Sequence, residues 1–332
     1  MSVCWQIREK VYTAFELYHK LRNEAEWDDA DRALVLIRHV IAAAQERFPS
    51  CAESGVALRE FLHGRKALFE KVYADEVQDC TTTQLLVLAI ASAADMSRMF
   101  LAGDTAQQCV PGVEFRFKEI RKLAHFLGGQ IFPDPLNLHI NFRYSRQIHR
   151  LAQAVFNKLI TIFPDSADIV ADAAIDDGRV QPMYLMKSEQ IEQLLQFDSG
   201  SVILARDTAS VQSRIGNHPS ISIAESKGLE FMNVIILDFF KESQRQREWK
   251  HYCLDSESSL GMEDLDDAEM ESELKLLFVA IGRCCKRLVF AETDGLSTPA
   301  CVAAKRWFNN HKLVVSTTTV VLLLTCSIVG RI

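Results

Sequence analysis

No two cysteines of this chain stand at Cys-x-x-Cys spacing, and the nine cysteines are scattered and odd in number. That argues against a zinc site and a secreted disulfide framework, and for an intracellular, reducing compartment, nucleus or cytoplasm. An excess of positive charge is also missing. The net charge of −7 gives no global electrostatic case for a nucleic-acid binder, although a basic groove can sit on an acidic protein. A signal peptide is excluded because Arg8, Glu9 and Lys10 bring charge too early. Glycine and proline are few, 14 and 8 in 332 residues, which fits an ordinary globular chain with room for two domains. Nowhere does Gly-x-x-x-x-Gly-Lys-Ser/Thr occur, so the sequence holds no complete phosphate-cradling loop, and Lys227-Gly228 lacks the preceding glycines.

What is present is organised around Val72-Tyr73-Ala74-Asp75-Glu76-Val77-Gln78-Asp79. Just beyond it, Thr81-Thr82-Thr83-Gln84 has the spacing of a capping box, which satisfies orphan donors at a helix start. The helix it opens, through Ala91, is apolar on nearly every side and reads as buried. The pattern is strand, sharp turn, helix, with adjacent carboxylates at the strand's C-terminal end, the edge where open α/β sheets bind ligands. Such a pair suits nucleotide hydrolysis: one carboxylate holds Mg²⁺, usually through water, while the next orients or deprotonates the attacking water. An isolated Asp-Glu pair is more often an acidic solvated turn. The balance shifts because the next apolar run, Met99 to Ala102, also ends in acid, at Gly103-Asp104-Thr105-Ala106-Gln107-Gln108. Together they predict a right-handed βαβ unit with both acidic tips on one edge.

Residues 5 to 70 read as mostly helical, with Leu34, Ile37, Ile41 and Ala44 at helical spacing and an N-cap region near Asp28. The run Phe115 to Lys122 interleaves aromatic and basic residues. It is either a nucleic-acid face or, as the weightier reading, an amphipathic helix with a solvated basic side. Leu136 to Arg143 alternates as a short strand, and Ser145 is placed to cap the helix holding Ile148 and Leu151. A long loop is expected over 163 to 182. Strands are expected at Ser201–Ala205, near Ile221–Ile223 and at Val234–Leu237. Residues 255 to 273 carry nine acidic residues and no Lys or Arg, and predict a mobile solvated loop. Leu276 to Phe290 reads as a buried helix carrying Arg283, followed by a strand. An Arg held at a domain edge can neutralise charge on a transferring phosphoryl group. The tail, 313 to 330, is uncharged and just long enough for a marginal membrane span, but its Val and Thr read equally as strand.

Taken in order, these segments resemble the UvrD/Rep-type superfamily 1 helicases. Asp75-Glu76-Val77-Gln78-Asp79 looks like motif II and Gly103-Asp104-Thr105-Ala106-Gln107 like motif III. Asn141-Phe142-Arg143-Tyr144-Ser145 is similar to motif IV, Lys227-Gly228-Leu229-Glu230-Phe231 to motif V, and Val279-Ala280-Ile281-Gly282-Arg283 to motif VI. The style is closest to the helicase-like region of large eukaryotic tetratricopeptide- and ankyrin-repeat proteins. The resemblance implies an α/β chain of RecA-like, P-loop NTPase type. It would have a helical region at 1–65, an incomplete first RecA-like domain at 66–135, a second at 136–312 with an acidic loop at 255–273, and an apolar tail at 313–332. It implies ATP bound between the two domains. Asp75 would hold Mg²⁺ through water and Glu76 would activate the hydrolytic water. Gln107 would sense the γ-phosphate, which Arg143 and Arg283 would contact, while Gly228 and Glu230 would line the nucleotide. Single-stranded nucleic acid is the implied track. The absent Walker A loop implies a missing upstream segment of the same protein, so that the chain is an N-terminally truncated fragment. A catalytically inactive module that binds protein or nucleic acid is the alternative, and a tail-anchored adaptor a third. Two departures stand out, Ala224 where motif V usually has His and Gly282 where motif VI usually has Thr.

Overall fold

A computed structural model of the chain describes Thr13 and residues 28–316, apart from 52–53, 64, 111–112, 114, 128–132, 171–172, 175–181, 186–187, 198–199, 210–217 and 254–266. Residues 5–27 of the stretch expected as helical, Thr13 apart, and the tail beyond Ser316 lie outside the described residues. The chain divides into two compact units, Met1–Gly103 with Gly112–Pro135, and Asp104–Pro111 with Leu136–Ile332. Residues 1–103 and 112–135 form one unit. Residues 104–111, expected with the first domain, belong to the second.

In the first unit, α1 (Asp29–Arg47) starts at a reciprocal cap: Asp31 N donates to the Asp28 carboxylate at 2.9 Å, and Asp28 N to that of Asp31 at 3.2 Å. α2 (Ser54–Leu62) packs on it. β1 (Val72–Ala74) and β2 (Met99–Leu101) pair in parallel, with Val72 opposite Met99 and Ala74 opposite Leu101. Between them runs α3 (Thr82–Ala91), opened by the expected Thr81/Gln84 capping box. The strand pleat sends Val72 and Met99 into the core with Leu58, Val77, Leu85 and Ile120. It turns Tyr73 and Phe100 outward, with ring centroids 5.9 Å apart. In α4 (Phe117–Phe126), Ile120, Leu123 and Ala124 are buried while Lys118, Arg121 and Lys122 stay exposed, which is the amphipathic reading.

The second unit holds a six-stranded parallel sheet. Its members are β5 (Met183–Leu185), β6 (Val202–Ala205), β7 (Ser220–Ser222), β8 (Phe231–Leu237), β9 (Cys284–Ala291) and β10 (Val315–Ser316), in the order β10-β5-β9-β8-β6-β7. A two-residue parallel bridge joins β3 (Ile140–Asn141) to β4 (Ala173–Ala174) inside the stretch expected as loop. The near-continuous apolar run of β8 follows from burial on both faces. Val234 and Ile236 enter the main core with Leu288, Phe290 and residues of α5 (Arg146–Ile162), α7 (Gln246–Cys253), α8 (Asp267–Gly282) and α9 (Pro299–Asn310). Ile235 and Leu237 face the other way, with Val289 and with Ile191 and Leu194 of α6 (Ser188–Phe197). Each such fully buried aliphatic side chain stabilises by about 1.5–3 kcal/mol.

Three expectations are corrected here, and the strand reading of the tail's start holds. Residues 267–273, expected within the acidic loop, are helical, because α8 begins at Asp267. Its Glu269, Glu271 and Glu273 find cations in Arg245, Lys275 and Arg206, so a helix can carry them without self-repulsion. Ser145 stands at the N-cap position of α5, yet its hydroxyl is buried and caps nothing, while its N–H donates to Cys285 O at 3.2 Å. Arg283 is not on the helix but is the one-residue joint between α8 and β9. The apolar tail enters the fold at its start, since Leu313 and Val314 are buried and β10 adds to β5. Among the described residues, no helix is long and apolar enough to cross a membrane.

Candidate functional site

In the first unit, the chain leaves β1 at Ala74 and passes Asp75, which is exposed, and Glu76, which is half-buried. Glu76 adopts the left-handed conformation at φ 55°, which costs a non-glycine residue roughly 1–2 kcal/mol. The turn is held on both sides. Val77 N donates to Ala102 O at 3.0 Å and Ala102 N to Ala74 O at 2.9 Å. Glu76 N donates to Asp75 Oδ1 at 2.9 Å. The fully buried Gln78 donates its amide to Glu76 Oε2. Gly103 makes room for that amide, since a Cβ there would collide with Gln78 Oε1. The result is one open carboxylate beside a second whose position is fixed, at the C-terminal end of a parallel strand. Chemically, such a pair can hold a hydrated divalent cation and polarise a water.

In the second unit, Asp104 accepts from Ala106 N at 3.0 Å and from Gln107 Nε2 at 2.8 Å, which fixes the Gln107 amide. Thr105 anchors the same segment, because its hydroxyl accepts from Asp168 N at 2.7 Å. The Gln107 side-chain oxygen then accepts from Arg283 Nη2. Arg283 is 1% exposed and also donates to Leu229 O at 3.2 Å and Val279 O at 3.3 Å. The Leu229 carbonyl is presented by the turn at Gly228, whose φ of +77° suits a residue without a Cβ. Next to it, Glu230 Oε2 accepts from Arg143 Nε at 3.0 Å. Both side chains are substantially exposed, 37% and 60%, so this pair orients more than it stabilises. Asn141 Oδ1 holds the Arg143 turn by accepting from Arg143 N at 2.9 Å.

Gln107, Arg143, Gly228, Glu230 and Arg283 are thus brought together in one unit, and Asp75 with Glu76 in the other. Glu230 and Arg283 immediately precede β8 and β9, so this cluster lies at the amino edge of its sheet, whereas Asp75 and Glu76 follow β1. At the opposite, carboxyl edge sits a pair the sequence reading passed over. Asp238 follows β8 and accepts from Thr293 N at 2.7 Å. Glu292 follows β9 and accepts from Phe240 N and Lys241 N, both at 3.1 Å. Both carboxyls are fully buried. Desolvation, reinforced by the charge of Asp238, pushes Glu292 up to about 7 against the pull of its backbone hydrogen bonds. The signal was available, as each acid directly follows an apolar strand, like Asp75. Among the described residues, no group of three or more His, Cys, Asp or Glu could hold a metal ion.

The parallel sheets and their helices place the chain among mixed α/β proteins. It is similar, at 28% identity over 267 residues and 73% of its length, to the human TPR and ankyrin repeat-containing protein 1. The match spans only 8% of that protein. No family model matches the chain. Among solved structures, the C-terminal domain of a possible DNA helicase from Lactobacillus plantarum WCFS1 overlaps 53% of this chain and 98% of its own, at 15% identity and a TM-score of 0.31.

Proposed function

We propose that the chain is a helicase-like module of the UvrD/Rep superfamily 1 kind, RecA-like in fold. It would bind ATP with Mg²⁺ and use hydrolysis to move along single-stranded nucleic acid. The observation that carries the reading is the hydrogen bond from the buried Arg283 to Gln107, two residues singled out for the nucleotide and 176 positions apart. Arg143 and Glu230 extend the same cluster, with an exposed guanidinium available to a phosphate oxygen. In the first unit, the open carboxylate of Asp75 suits a hydrated Mg²⁺, and Glu76, steadied by Gln78, suits a water. Bound Mg²⁺ would supply charge neutralisation on the phosphates.

The test is binding and turnover of Mg-ATP by a chain in which a phosphate-cradling loop has been joined upstream of these residues. Arg143→Gln should weaken binding by about tenfold, the worth of one charge-assisted hydrogen bond. Glu76→Gln should abolish turnover and spare binding. A second reading is a non-hydrolysing module that binds protein or nucleic acid, favoured by the absence of Gly-x-x-x-x-Gly-Lys-Ser/Thr from the sequence. Absence of any saturable Mg-ATP binding would remove the first reading and leave the second.

A further inference from the structure

A cavity of about 430 Å³ opens in the first unit, among residues to which neither reading above gives a role. Its volume is that of a small-molecule site. Arg59, His63, Arg65 and Arg98 line it, against a single acid, Asp95, and the floor is apolar, with Leu62 and Ala94 buried. Arg59 pairs with Glu60 at 3.4 Å and Arg98 with Asp95 at 2.9 Å, so in a protein of net charge −7 the Arg65 guanidinium is the cavity's excess positive charge.

How two of these arginines are held is the telling feature. Arg65 donates through Nε to Phe61 O at 2.8 Å, and its guanidinium lies over the Phe61 ring with Cζ 3.9 Å from the centroid. Arg98 donates through Nε to Asp95 Oδ2 at 2.9 Å. Asp95 is itself fixed by Ser97, whose hydroxyl and N–H donate to Oδ1 at 2.6 and 3.1 Å. These bonds hold the Asp95 carboxyl below its ordinary range, the Ser97 hydroxyl first among them, so it remains a charged anchor. In both arginines the inner nitrogen is engaged, while the two terminal nitrogens have no hydrogen-bond partner among the described residues. Capping the end of α2 accounts for the Arg65 Nε alone and leaves both forks over. A planar fork fixed at its root is pre-organised for two-point recognition of phosphate oxygens, with little ordering entropy left to lose.

We propose that this cavity is a binding site for a phosphate ester of nucleotide size, its phosphate held by the Arg65 and Arg98 forks and its remainder lying on the Leu62 and Ala94 floor. The ester can be free or one unit of a single strand, and the chemistry recognised is the same. Every residue of this site belongs to the first unit, so it stands or falls independently of Gln107, Arg143 and Arg283.

The test follows the backbone amides of residues 93–98 by NMR in the full chain, titrated separately with AMP, inorganic phosphate and a short single-stranded oligonucleotide. Saturable shifts at these amides with AMP, displaced by phosphate, support the site and name a free ester. Saturation by the oligonucleotide alone supports it and names a strand. Arg65→Lys with Arg98→Lys keeps the charge and removes both forks, and should weaken binding about tenfold or more. Arg98→Lys alone is the second variant if the pair disturbs the fold. Arg143→Gln in the other unit should leave these shifts unchanged. No saturable shift with any of the three probes overturns the proposal, as does wild-type affinity in the lysine variants.

Discussion

Arg283 reaches the side-chain oxygen of Gln107 through Nη2 while its other nitrogens take the carbonyls of Leu229 and Val279. One buried side chain therefore ties three stretches of the second unit together. Arg283→Ala leaves those neutral oxygens without their donor, and should cost about 1–3 kcal/mol for each buried acceptor left unpaired, read in a urea titration. Arg283→Lys should recover only part of the loss, because an ammonium cannot span three fixed acceptors. Equal stability of Lys and Arg at this position would mean that the fork geometry is irrelevant.

Glu292 makes the second unit sensitive to pH. Its folded value of about 7 lies above the ordinary 4.5, so the fold favours the protonated form. A group raised in this way contributes stability that is fully present below pH 4.5 and is lost as pH rises through 7. The loss is on the order of 3 kcal/mol. Glu292→Gln, neutral at every pH, should flatten the stability profile between pH 5 and 8, read by chemical denaturation at each pH. An unchanged slope would assign the pH dependence to another group.

Gly103 should tolerate no side chain. An added Cβ collides with Gln78 Oε1 and approaches Val77 at 3.2 Å, and forcing atoms into a packed site costs about 1–3 kcal/mol. Because Gln78 steadies Glu76, Gly103→Ala should also disturb the acidic turn, visible as shifted amide resonances at 75–78. Gly282, where a Cβ meets nothing within 4 Å, is the control. Its replacement by Ala should change the melting free energy by about 0.5 kcal/mol or less.

Local features were legible from the chain alone, because short-range physics writes them. The Thr81/Gln84 box, the start of α1 at Asp28 and the parallel pairing of β1 with β2 all follow from caps and periodicity. The clustering of Gln107, Arg143, Glu230 and Arg283 was anticipated only through the ordered motifs, since nothing near Arg143 in sequence names Glu230, 87 positions away, as its partner. Residue type misled at Ser145, a good cap by chemistry whose hydroxyl the packing buries instead. It misled again at 267–273, where acidic composition spoke for a loop, whereas Arg206 and Arg245 from elsewhere in the chain and Lys275 one turn on pair with the acids of a helix.

By itself the sequence determined where α1 and α3 begin, that β6 and β8 are buried strands, and which residue types follow β1 and β2. Tertiary structure alone decided that residues 104–111 join the second unit, that Arg283 is buried on Gln107, and that Val315–Ser316 closes the sheet edge. The division has a physical basis. Caps and periodicity act within a few residues, whereas a choice among distant partners is settled only when loops close and burial makes an unpaired polar group costly.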